Sequence, residues 1–315
     1  MTRTSLLLLL PLGIGCRSFE TVDDACKGSI RGERHGSAEA NDFFGRVTCY
    51  RRLAGLPQAN IRKEVSEAAE AHAAYLAQNG IGPDWPNETI GLPGFTGQTS
   101  FDRIEAAGFP VDVAATFLWE VLVPTDVDVP RGEVVDGYMH DPLVRDVLLA
   151  PGWLGGGYAE LDAPDGRWAY FHAVLSLPSN ANANRPIVYP ADGQLDVPIS
   201  VSGGGLTGAA PLTGYPITLT FGSTSSDPNL PNPLGVTVIA SVITGPSGPV
   251  AHTVYLPATY DGWGRNYSTA ILLPTDPLEP NATYTVGAEV SWVSDPSKKL
   301  EWTFTTGEAP ATAGF

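Results

Sequence analysis

Near its middle the chain reads Glu133-Val-Val-Asp-Gly-Tyr-Met-His-Asp-Pro-Leu-Val-Arg-Asp-Val-Leu-Leu-Ala-Pro-Gly-Trp-Leu-Gly-Gly-Gly-Tyr158. This stretch predicts a short helix, a break at Pro142, and a second short helix that Pro151 ends. Three apolar residues fall at helical spacing in the second helix: Val144, Val147 and Leu148. The glycines 155–157 then allow another backbone to approach closely before a strand begins.

Two longer helices are predicted before this stretch. Asn41 is placed to cap the first, which has one apolar face and stops at Gly55. The second runs from about Ile61 to Gln78, and its alanines allow close packing. It contains His72, for which we expect burial and a hydrogen bond in the core.

A β-hairpin is predicted after the stretch, with its turn at Asp165-Gly166. The second strand, Arg167 to Leu175, is apolar on both faces, as expected for a sheet held between helices. His172 lies on this strand, and we expect it to serve packing.

The order and spacing of these segments resemble the CAP superfamily, the SCP-like or cysteine-rich secretory fold. Gly94-Phe-Thr-Gly97 and the helix ending Ala106-Ala-Gly-Phe109 are similar to the bacterial CAP pattern. Asp141-Pro-Leu-Val-Arg145 resembles the family's Ser-Pro-x-His-Arg motif. The resemblance covers about Ala38 to Leu177 and implies an α-β-α sandwich.

The cavity of metal-binding CAP proteins holds two histidines and two glutamates, a ligand set that suits zinc. By this resemblance Glu120 matches one of the family's two glutamates, whereas Val144 lies at the position of one of its two histidines. The loop of the other histidine offers Asp84, Asn87 and Glu88, and the second acid is Asp136 or Asp141. We therefore expect no cofactor, with a weak site of oxygen ligands for a divalent metal as the alternative.

Three residues are the candidates for a metal or catalytic site: Glu120, Glu88 and His140. His140 is a candidate because it precedes Val144 by about one helical turn and could therefore point near the cavity. A capping or surface interaction near Asp141 is the favoured role for His140.

The N-terminus has the features of an export signal over residues 1–16. Arg3 precedes an apolar core, Leu6 to Leu10 with Leu12, which is too short to span a bilayer. Gly15-Cys16 resembles a lipoprotein cleavage site, so we expect Cys16 to carry lipid and anchor the protein to a membrane. The alternative is simple cleavage and secretion.

The two remaining cysteines, Cys26 and Cys49, are expected to form a disulfide in an oxidising compartment.

The chain has 315 residues, 43% of them hydrophobic, which is enough for two domains with cores. Its formal net charge of −16 argues against a nucleic acid or an anionic membrane patch as partner.

The composition changes after a linker over residues 179–186. Strands with period-two alternation follow: Ile217–Phe221, Val236–Ile243, Thr283–Trp292 and Leu300–Thr306. Tyr189-Pro-Ala-Asp-Gly193 and Trp302-Thr-Phe-Thr-Thr306 resemble bacterial Ig-like domains, which implies a β-sandwich that serves as spacer or adhesive module.

The expected fold class is α+β, a CAP-type α-β-α sandwich followed by an all-β Ig-like sandwich. The predicted domains are the signal (1–16), a polar tether (17–37), the CAP domain (38–178), the linker (179–186), the Ig-like domain (187–307) and a tail (308–315).

The missing histidine favours an exported, lipid-anchored cell-surface protein that binds a lipid, peptide or cell-wall ligand without catalysis. The alternative is a metal-dependent, peptidase-like hydrolase that uses Glu120, with His140 or Glu88 assisting. The sequence contains no Gly-x-Ser-x-Gly or His-Glu-x-x-His motif, so standard hydrolase mechanisms have no support. A third reading is a purely architectural lipoprotein without a ligand.

Overall fold

A computed structural model describes residues 19–27, 36–81, 86–112, 116–125, 129–163, 166–176, 186–203, 210–221, 235–257, 269–292 and 295–308. The predicted signal with Cys16, the linker residues 179–185 and most of the tail lie outside these ranges. The described part is a mixed α+β structure, as the sequence predicts, and its sheets are antiparallel except for one parallel strand pair in the second half. Within it, no helix is long and apolar enough to cross a membrane.

The helices of the described residues all lie in the N-terminal half. They are α1 (Val22–Cys26), α2 (Ala38–Leu53), α3 (Lys63–Asn79), α4 (Ser100–Ala106), α5 (Arg131–His140) and α6 (Pro142–Leu148). The break between α5 and α6 lies where the sequence predicts it. There the Asp141 side chain accepts a hydrogen bond from the Leu143 amide at 2.8 Å and caps α6.

Two features near the N-terminus differ from the sequence prediction. Ser37, not Asn41, caps α2, because its extended backbone lets its hydroxyl accept from the Ala40 amide at 3.1 Å. Residues 22–26, predicted as part of an aperiodic tether, form α1. The predicted disulfide Cys26–Cys49 is confirmed and joins α1 to α2, with the two Cα atoms 4.9 Å apart.

Three strands form the N-terminal sheet: β1 (Thr116–Thr125), β2 (Trp153–Ala163) and β3 (Gly166–Ser176). Their order is β1-β3-β2, and β3 is antiparallel to both neighbours. Phe171 of β3 packs in one cluster with residues of α2 and α5, whereas Tyr170 and Val174 pack in clusters with residues of α3. Helices therefore cover both faces, which explains why apolar residues occur on both faces of β3.

The three glycines at the start of β2 are required by close packing. A Cβ atom on Gly157 would lie 2.3 Å from the Val65 carbonyl oxygen of α3. A Cβ atom on Gly156 would lie 2.5 Å from the Phe44 ring of α2. The predicted close approach of backbone is therefore confirmed, and it lets β2 lie directly against two helices.

The described residues of the second half form strands and no helices. Its strands are β4 (Ile187–Tyr189), β5 (Gln194–Val197), β6 (Ser200–Gly203), β7 (Ala210–Gly214), β8 (Ile217–Thr220), β9 (Thr237–Gly245), β10 (Gly248–Pro249), β11 (His252–Tyr255), β12 (Thr269–Pro274), β13 (Thr283–Trp292) and β14 (Asp295–Thr306). The sheets have the orders β10-β9-β13-β14-β5, β11-β12-β8-β4 and β6-β7. Buried residues of the two larger sheets share one hydrophobic cluster, so both contribute to the core.

The two halves are joined by direct contacts around Arg145 of α6, which is fully buried. Its guanidinium donates to the carbonyl oxygen of Pro216 at 2.7 Å and lies 4.7 Å and 4.9 Å from the ring centroids of Tyr189 and Tyr215. The same hydrophobic cluster contains residues of both halves. Arg145 therefore holds the second half against α6.

Candidate functional site

Glu120 lies on β1. Three side chains from other parts of the N-terminal half contact its carboxylate. Arg103 of α4 pairs with it through Nη2, and the Tyr170 hydroxyl donates to it at 2.5 Å. His172 lies directly opposite Glu120 in the register of β1 and β3, with its Nε2 at 2.8 Å. The Glu120 side chain is 6% exposed, so all of this takes place inside the protein.

Arg103 also faces a second carboxylate. Its Nε lies 4.0 Å from Oε1 of Glu88, and both side chains are fully buried. The guanidinium therefore lies between the two acids that the sequence analysis selected, Glu88 and Glu120. Because Arg103 belongs to α4, the capping box of Thr99 and Asp102 that starts this helix helps to place it.

Glu88 is held by the loop that follows it and by α3. It accepts hydrogen bonds from the amide of Thr96 at 2.6 Å and from the amide of Gly97 at 3.4 Å. Nδ1 of His72 lies 2.8 Å from its Oε1. His72 is fully buried, as the sequence predicts. Burial, and then the charge of Arg103, lower the pKa of His72 to about 4, so the ring is neutral at neutral pH.

The Glu120 carboxylate is ionised at neutral pH and has a partner on several sides. Burial by itself would raise its pKa, but His172, Arg103 and the Tyr170 hydrogen bond outweigh burial and lower the pKa to about 2. Burial raises the pKa of Tyr170 well above its usual value, so its hydroxyl stays protonated and donates. A carboxylate in this state is a poor proton acceptor near neutral pH.

His140 lies elsewhere. Its Nδ1 is 3.3 Å from the Tyr215 hydroxyl, in the contact between the two halves of the protein. Glu88 and Glu120 meet around Arg103, whereas His140 makes its contacts with the second half. The two acids considered as a second cavity acid also have structural partners: Asp136 binds Arg46 and the Tyr50 hydroxyl, and Asp141 caps α6.

No group of three or more His, Cys, Asp or Glu side chains that could hold a metal ion occurs among the residues the structure describes. Asp84, a further candidate of the loop, lies outside those residues, and Asn87 is exposed. Val144, at the family's histidine position, packs against the main hydrophobic cluster.

Sequence reasoning did not select Arg103, Tyr170 and His172 for this site. Arg103 stands in the helix of the CAP-like pattern, and its presence there is the one signal in the sequence that points to it. His172 was assigned to packing. Its pairing with Glu120 depends on the register of β1 and β3, which the sequence does not specify.

A groove of about 520 Å³ lies between α2, α3 and β2. Its lining has an apolar part formed by Ala73, Ala74, Ala77, Tyr158, Ala159 and Leu161, and a polar part formed by Ser37, Glu39, Glu70, Glu160 and Asp162. Neither Glu120 nor His140 contributes to this lining. The groove and the ion-paired cluster are therefore separate features of the domain.

No protein-family model matches the chain, and no curated protein matches it. Among solved structures it is similar to an extracellular protein containing an SCP domain from Bacillus anthracis, with 14% identity over 43% of this chain and a TM-score of 0.32. The chain spans 40% of the length of that protein.

Two further solved structures show partial likeness. One is an outer surface protein from Borrelia burgdorferi, with 16% identity, coverage of 42% of this chain and 89% of that one, and a TM-score of 0.32. The other is a copper resistance protein from Escherichia coli, with 19% identity, coverage of 38% and 94%, and a TM-score of 0.23. Identities and TM-scores of this size carry no information on function.

Proposed function

We propose that this chain is an exported, lipid-anchored cell-surface protein whose N-terminal half is a CAP-type domain that binds a lipid, peptide or cell-wall ligand without catalysis. One observation carries the proposal: Arg103 lies between Glu88 and Glu120 and supplies the positive charge that both buried acids need. A guanidinium in that place neutralises the charge of the two carboxylates, as a metal ion would in a cavity of histidines and glutamates.

The hydrolase alternative requires a base or a metal ligand with free capacity. Glu120 has a pKa of about 2 and is already engaged by Arg103, Tyr170 and His172. His140 contacts Tyr215 instead of Glu120. Since neither residue is placed to move a proton to or from a substrate, the arrangement favours binding over hydrolysis.

The groove between α2, α3 and β2 is our candidate for the ligand site. Its volume of about 520 Å³ lies within the range of small-molecule sites, roughly 300–1,000 Å³. Three alanines of α3 leave room for an apolar part of a ligand, and acids on the rim can bind its polar groups. The β half, proposed to be an Ig-like spacer or adhesive module, would move together with this groove because Arg145 joins the halves.

The experiment measures metal content and binding on the same purified protein. We expect less than about 0.1 zinc per chain after dialysis, and binding to a panel of phospholipids, peptides and cell-wall fragments. Ala74→Trp fills the groove and should remove binding, while Glu67→Trp, exposed on α3 outside the lining, should keep it. Stoichiometric zinc that Glu120→Gln removes would contradict the proposal, as would a panel that gives no binding.

A further inference from the structure

The loop over residues 86–98, between α3 and α4, exposes apolar side chains in an unusual concentration. Ile90 is 71% exposed, Leu92 41% and Phe95 37%. These are three of the ten large hydrophobic residues that the described part of the chain exposes, and they fall within six positions. Water-exposed apolar side chains grouped in this way mark an interaction surface.

The same loop presents no charge to the solvent over its described residues. From Pro86 to Phe101 the sequence contains one ionisable side chain, Glu88, and this one is buried. The whole chain carries a formal charge of −16, so a neutral segment of this length stands out from the rest of the surface. A neutral apolar surface fits a partner that is itself apolar and uncharged at the contact.

Hydrogen bonds fix the conformation of the loop, so its apolar side chains are exposed by an ordered backbone. Glu88 anchors it from inside through the Thr96 amide. Two side chains of α3 bind it from the other direction: Asn79 donates to the Pro93 carbonyl at 2.9 Å, and the Tyr75 hydroxyl accepts from the Thr89 amide at 2.9 Å. Burial of the Glu88 carboxylate costs free energy, and its hydrogen bonds to the loop offset part of that cost. The same bonds fix the conformation in which the loop exposes its apolar side chains.

The size and shape of the surface decide between possible partners. A specific protein interface buries roughly 800 Å² on each partner and involves about 20–30 residues a side. Three side chains on two successive turns, closed by the hydrogen bonds of the Leu92 amide to Thr89 and of the Phe95 amide to Leu92, offer far fewer residues than such an interface needs. A fluid bilayer accepts such side chains one by one, without a complementary pocket.

We infer that the loop of Ile90, Leu92 and Phe95 inserts into the uncharged, acyl-chain boundary of a lipid bilayer and holds the N-terminal half against the membrane. This contact is independent of the lipid proposed on Cys16. It would add a second attachment to an anchored protein and a weak, reversible one to a secreted protein.

The test uses the chain without residues 1–16, which lacks Cys16 and therefore carries no acyl chain, and phosphatidylcholine vesicles that float the bound fraction. We expect wild-type protein to bind, and Ile90→Ser with Phe95→Ser to lower the partition coefficient at least about tenfold. Ile239→Ser, on β9 and 52% exposed, is the matched control and should bind as wild type. Thermal unfolding checks that all three proteins are folded.

A second readout reports the position of the loop directly. Ile90→Cys provides a free thiol, since Cys26 and Cys49 are paired, and an environment-sensitive dye on it should shift to the blue when vesicles are added. Absence of wild-type binding, equal binding of the Ser variants, or an unshifted dye would overturn the inference. So would a wild-type dimer that the Ser variants convert to monomer, because a second copy of the chain would then be the occupant of this surface.

Discussion

Replacing Arg103 with Met tests the ion-paired cluster most directly. The change removes the guanidinium between Glu88 and Glu120, whose side chains are 0% and 6% exposed, and leaves two carboxylates without their shared counter-charge. Removing one partner of a buried ion pair costs about 3–5 kcal/mol. Since two acids lose the same cation, we expect a loss near the upper end, about 4–5 kcal/mol at pH 7.

The dependence on pH follows from the pKa of Glu120. Its folded pKa of about 2 lies below the ordinary value of 4.5, so its ionised form stabilises the fold above about pH 4.5, and this stabilisation is lost as the pH falls toward 2. Without Arg103 the pKa of Glu120 rises, and protonation removes the unpaired charge at a higher pH. The difference in unfolding free energy between wild type and R103M should therefore narrow from pH 7 to pH 4.

The assay is urea unfolding followed by circular dichroism, with two further variants. Arg103→Lys keeps the charge and should lose about half as much stability as R103M. Glu120→Gln added to R103M removes one unpaired charge and should recover about 1–2 kcal/mol. A loss below about 1 kcal/mol for R103M, or a double variant no more stable than the single one, would refute the role given to Arg103.

Three further predictions concern the scaffold. Gly157→Ala places a Cβ atom 2.3 Å from a carbonyl oxygen of α3 and should lower the unfolding free energy by about 2 kcal/mol or more, measured by urea unfolding. Cys26→Ala with Cys49→Ala opens a loop with a sequence separation of 23 and should cost about 3 kcal/mol in the same assay. Burial and the charge of Arg145 lower the pKa of His140 to about 4, so stability should fall as the pH drops from about 6.5 to 4, and His140→Gln should remove on the order of 2 kcal/mol of that fall.

The glycine and cysteine predictions have matched controls, and the histidine prediction has a result that would contradict it. Gly132→Ala lies in α5, where the nearest atom to the new Cβ is 3.8 Å away, and it should be neutral or stabilising. Reducing agent should destabilise wild type and leave the alanine pair unchanged. If His140→Gln keeps the full wild-type slope between pH 7 and pH 4, the titration of His140 is not its source.

Local patterns in the sequence located the elements of the fold well. The predicted break at Pro142, the helix α3 with His72 inside it, and the strands now labelled β8, β9, β13 and β14 all appear close to their expected positions. These features depend on periodicity, caps and turns, which act over a few residues and are therefore readable one segment at a time. The cap at Ser37 was missed because several polar residues near it could serve.

The candidate site was predictable only in part. Glu88 and Glu120 were selected, but their shared partner Arg103 and the contact of Glu120 with His172 were not. Each of these pairs joins segments that are distant in the chain, and strand register or helix packing decides which side chains meet. His140 and Tyr215 are also distant in the chain, since Tyr215 lies in the other half of the protein, and their contact likewise depends on packing.

The sequence by itself determined the longer helices, the hairpin, four strands of the second half, the placement of apolar faces and the cysteines available for a disulfide. Only the tertiary structure decided that an arginine lies between two buried carboxylates and that Arg145 holds the β half against α6. The physical reason is that the charge state and partner of a buried group depend on what surrounds it in three dimensions. A residue pattern records that a side chain is buried, but the fold decides which group it meets.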